Sequence, residues 1–291
     1  MSSSAAPIPR PASVPAEAFV MPLRVRSYEV TATGVTSLGT ILRYLEHLAT
    51  RASAARGFDH LWYERAGAAW VVHEMDLLLS RLPGIDDELM MATWVSEFRR
   101  VQAHREYAIW RAADQRLVAR ARARWAYVDR FNGRLTRLPD ELVARFGVVG
   151  RAMSLRDLAV GTPRQIVAGG EPRAEAVMEL TARGYECDTQ QHVNNTVYAD
   201  WLSEALEQAL HLRAFADGAR CPRYLRVEYV RPVLAGAHVA IATSLTAYGS
   251  RALHASQTIT DAVTGEVSVR AVTRLLAMSR MAGEHGERDA L

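Results

Sequence analysis

The sequence predicts an α+β fold of two similar halves, each a long amphipathic helix wrapped by an antiparallel sheet. Three observations predict it. An order of strand, turn, long helix and then four strands occurs twice along the chain. Each helix carries an apolar stripe that must be covered by something. A stretch rich in Gly and Pro separates the two copies. The 291 residues suit two ordinary domains or one duplicated unit. A composition 49% hydrophobic and 23% charged belongs to a globular chain with a large core.

Residues 1–18, rich in Ser, Ala and Pro, are expected to form a disordered leader outside the fold. The first half, 19–133, opens with an alternating strand at Leu23 to Thr31 and a turn at Thr33 to Thr36. A helix from Ser37 to Arg56 follows, because Leu38, Ile41, Leu42, Leu45, Leu48, Ala49 and Ala52 recur at spacings of three and four. Strands are then expected at Ala69 to Leu79, Glu88 to Phe98, His104 to Trp110 and Leu117 to Val128. Residues 134–173 carry Pro139, Gly161, Pro163, Gly169, Gly170 and Pro172 and read as a linker, with one short helix at Asp140 to Phe146.

The second half, 174–279, repeats the order: a strand at Val177 to Arg183, an irregular turn at Gly184 to Val193 and a helix from Asn195 to Leu212. The helix stripe is Tyr198, Trp201, Leu202, Ala205, Leu206, Ala209 and Leu210. Strands at Tyr224 to Val230, His238 to Ala247, Leu253 to Asp261 and Glu266 to Leu276 complete it, and 280–291 is expected to be a flexible tail.

Composition narrows the function. No run reaches the roughly 18 apolar residues of a spanning helix, and the N-terminus lacks the apolar block of a secretory signal, so a cytoplasmic protein without membrane insertion is expected. Two cysteines, Cys187 and Cys221, make neither a disulfide framework nor a CxxC metal site. His60, His73, His104 and His238 have no metal-ligand spacing. The net charge is +3 and every cationic side chain is Arg, without the clustered basic face of a nucleic-acid binder. Arg116, Arg120, Arg122 and Arg124 alternate along one strand, a row that fits either a solvated outer face or contact with an acidic partner.

Chemistry concentrates between the second strand–helix pair. Glu186, Asp188, Thr189, Gln190, Gln191, His192, Asn194 and Asn195 place a carboxylate, an imidazole and several amides just ahead of a helix start. Backbone N–H groups there favour negative charge, and Asn194 or Asn195 suits an N-cap. Such donors can hold the oxyanion of an attacked carbonyl. Asp188 then serves as general base or attacks directly, and His192 orients the water or protonates the leaving group. Without a metal or a Ser-His-Asp set, this equipment suits a thioester, whose thiolate departs more readily than an amine. No cofactor is required.

The run from Asp188 to Tyr198, with Trp201 and Glu204 beyond it, resembles the signature of the acyl-acyl-carrier-protein (acyl-ACP) thioesterases, a tandem hot-dog family that usually shows Asp-x-Asn-x-His-Val-Asn-Asn. Arg26-Ser27-Tyr28-Glu29-Val30, the Leu42-Arg43-Tyr44-Leu45 helix and Trp125 are similar to its first repeat, so the likeness covers residues 23 to 278. It implies a tandem hot-dog fold, with Asp188 and His192 catalytic and Gln190 standing where the family has its catalytic Asn, one methylene longer. The family's Glu-Cys pair falls on Pro232-Val233, so both side chains are missing. Glu204 and Glu228 are candidate substitutes for that carboxylate and, with Asn194 and Asn195, complete the set as substrate-binding groups. Cys187 alternates away from Asp188 and reads as a packed thiol.

Aligning the helices on Thr40 and Thr196 sets Ala32 opposite Asp188 and Thr36 opposite His192, which leaves one live site and a first repeat free to shape an acyl pocket. The implied activity is hydrolysis of acyl thioesters, fatty acyl-ACP above all. Alternatives are an acyl-CoA thioesterase of the wider hot-dog type, a hot-dog 3-hydroxyacyl dehydratase, or a non-catalytic module that binds acyl-ACP or acyl-CoA. The expected partner is therefore acyl carrier protein or a CoA thioester, with the protein itself a monomer or homodimer.

Overall fold

The computed structural model describes residues 10–150, 176–212, 220–248 and 252–277. Within them ten strands form one antiparallel sheet: β1 (Phe19–Arg24), β2 (Ala68–Leu79), β3 (Glu88–Arg99), β4 (Gln102–Arg111), β5 (Leu117–Asp129), β6 (Ala176–Thr181), β7 (Arg220–Tyr229), β8 (His238–Tyr248), β9 (Ala252–Asp261) and β10 (Val267–Ala277). Their spatial order is β1-β3-β4-β5-β2-β7-β10-β9-β8-β6, so the second half mirrors the first and the halves join where β2 pairs with β7. The helices are α1 (Leu38–Ala54), α2 (His60–Arg65), α3 (Asp140–Phe146) and α4 (Val197–Leu212).

One core spans both halves. Ile41, Leu45 and Leu48 of α1 and Tyr198, Leu202 and Ala205 of α4 pack with Leu77, Met91 and Ile109 from one half-sheet and Leu225, Ile241 and Ile259 from the other. Each helix thus buries its stripe against the sheet and against its counterpart, which removes apolar surface at about 25 cal/mol per Å². The expected tandem fold of two long helices on a continuous antiparallel sheet is the one observed.

The duplication extends to single hydrogen bonds. In each half a 3-10 turn follows the first strand, Ser27–Glu29 and Gly184–Glu186. Its acidic side chain folds back onto the backbone N–H of Arg26 at 2.8 Å in one half and of Arg183 at 2.7 Å in the other. The same carboxylates are anchored by the long helices, Glu29 by the Tyr44 hydroxyl at 2.8 Å and Glu186 by the Trp201 indole N–H at 3.1 Å. These fold-back contacts explain why the first strand stops at Arg24 instead of running to Thr31, and why β6 ends at Thr181 short of Arg183.

Four other expectations change. The helix α4 starts at Val197, not Asn195, because Asn195 and Thr196 form a separate tight turn in which the Val197 N–H donates to the Asn194 carbonyl and the Thr196 N–H to the Asn194 side chain. Asp59 caps α2, which has no apolar periodicity long enough to announce it, through the Trp62 N–H at 2.8 Å. Part of the expected leader is packed: Val14 and Ala18 are buried beside Trp94 and Trp110, two indoles on the outer face of β3 and β4 that need cover. In the expected linker, α3 forms where anticipated, but Leu138, Leu142 and Phe146 are buried against the first half. Residues 1–9, 151–175 and 278–291, which hold the rest of the leader, the linker and the tail, lie outside the described residues.

The arginine row is an outer face held by ion pairs. Arg122 meets Glu106 at 2.7 Å and Arg124 meets Glu74 at 3.0 Å. The helices α1 and α4 meet at Gly39, where an added Cβ would overlap the Asp200 carboxylate. That carboxylate accepts from Ser37 at 3.2 Å and pairs with Arg43. In wild type, Gly39→Ala should lower the urea midpoint, because overpacking costs typically 1–3 kcal/mol. In an Asp200→Ala background the same change should raise stability by about 1 kcal/mol, the helix-propensity gain.

Candidate active site

The polar run folds into a three-residue hairpin. The Asp188 N–H donates to the His192 carbonyl at 2.8 Å and the Gln191 N–H to the Asp188 carbonyl at 3.0 Å. Gln191 holds the left-handed φ of 61° that this loop type requires. Cys187 pairs with Val193 one step down the ladder, so Asp188 and His192 are directly opposite and share a face, while Cys187 and the buried Val193 share the other. Asp188 Oδ1 accepts the Gln190 N–H at 2.8 Å, which sets its rotamer and tightens the tip. The Val193 N–H donates to the Val233 carbonyl at 2.8 Å and the Val233 N–H to the Tyr198 hydroxyl at 3.0 Å, so the stretch around Val233 clamps the hairpin to α4.

The first half builds the same hairpin without the chemistry. The Thr31 N–H donates to the Val35 carbonyl at 2.8 Å and Gly34 takes the left-handed position with φ 78°. Thr31 therefore corresponds to Asp188 and Val35 to His192, one residue off the alignment made on Thr40 and Thr196. The outcome is unchanged, for neither group is present in the first copy.

Asn194 is not free to meet a ligand as the sequence suggested. Its Oδ1 accepts from the Thr196 N–H at 2.9 Å and from the Thr196 hydroxyl at 2.6 Å, while its Nδ2 donates to both oxygens of Glu46, each at 3.2 Å. The N–H groups of Asn194 and Val197 are also committed, to the carbonyls of Glu186 and Asn194. The helix start is thus largely self-capped. Asn195 presents its carbonyl to the Tyr229 hydroxyl at 2.9 Å. Glu204 is exposed on α4 and Glu228 pairs with Arg270 at 3.4 Å on β7; neither lines the cavities described next.

Glu46, from α1 of the first half, is the residue that sequence reading missed. It lines two cavities at once. One, of about 600 Å³, is polar and open, walled by Arg43, His47, Asp188 and Asp200 among others. The other, of about 360 Å³, runs under α1 into the first half and is apolar, lined by Phe58, Trp70, Val95, Trp125, Leu142 and Phe146, with Thr189 and Gln190 at its mouth. Burial pushes the Glu46 carboxyl above its ordinary value, the Asn194 hydrogen bond opposes this, and the nearby negative charge of Asp188 adds to the rise. The only sequence signal was a charged residue where a helix otherwise turns toward its core. Among the described residues no group of three or more His, Cys, Asp or Glu side chains is arranged to hold a metal ion.

Comparison with known proteins converges on one family. The profile of the acyl-ACP thioesterase N-terminal domain matches residues 16–146, and that of the acyl-ACP thioesterase C-terminal domain matches residues 170–275. The chain belongs to the acyl-ACP thioesterase family. Its relatives in that family include a chloroplastic acyl-[acyl-carrier-protein] hydrolase of Cuphea viscosissima, 26% identical over 62% of this chain and 45% of the relative. A chloroplastic palmitoyl-acyl carrier protein thioesterase of Gossypium hirsutum is 26% identical over 64% and 46%. The match thus spans about half the length of these curated relatives. Among solved structures, an acyl-ACP thioesterase of Bacteroides thetaiotaomicron shares the fold with a TM-score of 0.68 at 16% identity, over 89% of this chain and 97% of the other. The 12:0-ACP thioesterase of Umbellularia californica does so with 0.69 at 18%, over 90% and 98%. No described helix is long and apolar enough to cross a membrane.

The family's missing second carboxylate makes the charge on Glu46 worth testing. Because the folded state holds its proton more tightly than the unfolded chain, stability is lost as pH rises from the ordinary value of 4.5 through the higher native one. The neutral isostere Glu46→Gln should therefore melt at a higher temperature than wild type at pH 7, and the gap should close as the pH falls below 4.5 in a thermal-denaturation series.

Proposed function

We propose that the chain hydrolyses acyl thioesters, fatty acyl-ACP above all, to a free acid and a thiol. One observation carries this reading: Glu46 lines both an open polar cavity and a largely apolar one, while Asp188 lines the polar cavity and the next residues of its hairpin, Thr189 and Gln190, line the apolar one. The acyl chain enters the apolar cavity, the thiol-bearing arm lies in the polar one, and the carbonyl rests between them. Membership of the family and the names of its relatives support the same substrate class.

In this reading Asp188, facing the open cavity, takes a proton from the water that attacks the carbonyl carbon. Gln190, whose side-chain amide has no partner among the described residues, donates to the developing oxyanion at the mouth of the apolar cavity. Glu46 is the carboxyl whose proton burial retains to higher pH, and it protonates the sulfur as the C–S bond breaks. His192 lines neither cavity, but it lies opposite Asp188 on the same face of the hairpin and in this reading orients the water from there. The Glu46 carboxylate takes the place of the one absent at Pro232-Val233, but reaches the site from the other half of the molecule. Asn194 acts through Glu46, which it holds in position.

Release of free thiol from purified protein with acyl-ACP, or with acyl-CoA, tests the assignment. Asp188→Asn should slow release at least a hundredfold, within the range of general base catalysis. His192→Ala and Glu46→Gln should each cost tenfold or more. An Asp188→Asn protein that hydrolyses like wild type removes the base. Binding without thiol release in wild type points to a carrier module instead, and loss of water from a 3-hydroxyacyl substrate points to a dehydratase.

A further inference from the structure

The apolar cavity is not apolar at its inner end. Arg105 lines it and is only 9% exposed, yet it has no carboxylate partner among the described residues. On β4 it points inward with Ala103 and Tyr107, since alternate residues share a face. The neighbouring Glu106 points outward, where Arg122 and Ser96 engage it. A guanidinium carries five N–H donors. Only one contact of those donors is found here, a long one of 3.4 Å to the Thr93 hydroxyl.

The surroundings add positive charge instead of neutralising it. Arg105 and Arg56 both stack on the Phe146 ring, at 5.3 and 5.2 Å from its centroid. The polar atoms beside them, the hydroxyls of Ser53 and Tyr63, bond each other at 2.9 Å. Burial accordingly lowers the Arg105 pKa. An isolated buried cation is costly unless an anion or strong acceptor meets it. Along α1 the cavity runs from Glu46 to Ser53, seven residues or ~10 Å at 1.5 Å per residue. At roughly 30 Å³ per water-sized group, its 360 Å³ holds on the order of ten carbon-sized groups. It therefore presents the Glu46 carboxyl at the mouth, His60 and the Glu64–Arg130 ion pair (3.7 Å) on its wall, and the Arg105 guanidinium, which has no such carboxylate partner among the described residues, at the far end.

We propose that this cavity takes an acyl group whose distal end is itself a carboxylate, and that Arg105 recognises that carboxylate, so that the substrates are ω-carboxyacyl thioesters of medium length. The inference rests on the hydrolase reading and narrows it. Water forms the new C–O bond, the C–S bond breaks, the sulfur leaves as a thiol with its proton, and the distal carboxylate passes through unchanged. The mouth also selects the orientation, because the Asp188 carboxylate beside it repels a carboxylate placed there while Arg105 attracts it.

The test separates binding from turnover. Pantetheine amides of a medium-chain dicarboxylic acid and of the equally long monocarboxylic acid cannot be hydrolysed, and their affinities for the full chain are measured by calorimetry. Wild type should bind the ω-carboxylate analogue at least tenfold more tightly. Arg105→Met should abolish or reverse that preference, and Arg105→Lys should keep part of it. Equal affinities in wild type, or a preference untouched in both variants, would overturn the proposal and leave Arg105 as a clamp on α3. The predicted preference without thioester turnover would sink the hydrolase reading alone, and turnover restricted to the plain alkyl substrate would sink this one alone.

Discussion

The packing of α1 against α4 is the constraint on which the site depends. Each helix is apolar over more surface than its own five strands cover, so each completes its burial on the other, and the two approach where Gly39 leaves room for Asp200. That crossing brings Glu46, from the first half, against the hairpin of the second. Asn194 then closes the contact with a donor shared between both carboxylate oxygens. Neither half holds both carboxylates, and the apolar cavity of the first half is lined in part by Thr189 and Gln190 of the hairpin that the other half supplies.

Duplicated architecture and unduplicated chemistry are separable here, residue by residue. The fold-back of Glu29 and Glu186, their anchors Tyr44 and Trp201, and the two three-residue hairpins recur because both halves must solve the same problem of joining a strand to a long helix. Asp188 and His192 do not recur, since Thr31 and Val35 occupy their places. The first copy, which lacks both groups, leaves a cavity beneath its helix, whereas the second has filled the corresponding region with Leu206, Leu253 and Leu275.

Much of this was legible in the sequence because it is periodic. The stripes of α1 and α4 and nearly every strand follow from local spacing, and the cluster from Asp188 to His192 is contiguous in the chain. What escaped is what depends on distance in space. Glu46 lies far from Asp188 in sequence, and its position beside the apolar stripe of α1 is the one local mark that separates it from a solvated helix glutamate. Asn194 has the makings of a plain N-cap, and it is one, but its second function is visible only once α1 is beside it. The one-residue slip in aligning the halves arose because the helices were matched by residue type, whereas the hairpins are matched by the left-handed positions of Gly34 and Gln191. Burial of Val14 and Ala18 was hidden for a similar reason: a Pro-rich segment has no period, and only the outward-facing indoles of Trp94 and Trp110 that it covers explain its docking.

The inner wall of the lipid-sized cavity is contributed partly by α3, seven residues that belong to neither half-sheet. Leu142 and Phe146 reach into the hollow from a connecting segment whose own backbone is not part of any ladder. Substitutions there can deepen or shorten the hollow with little disturbance to strand pairing or to the reacting groups at the opposite end. Under the proposed hydrolase reading, substrate size and catalytic competence are therefore free to drift independently, and selection can retune one of them without first relaxing the other.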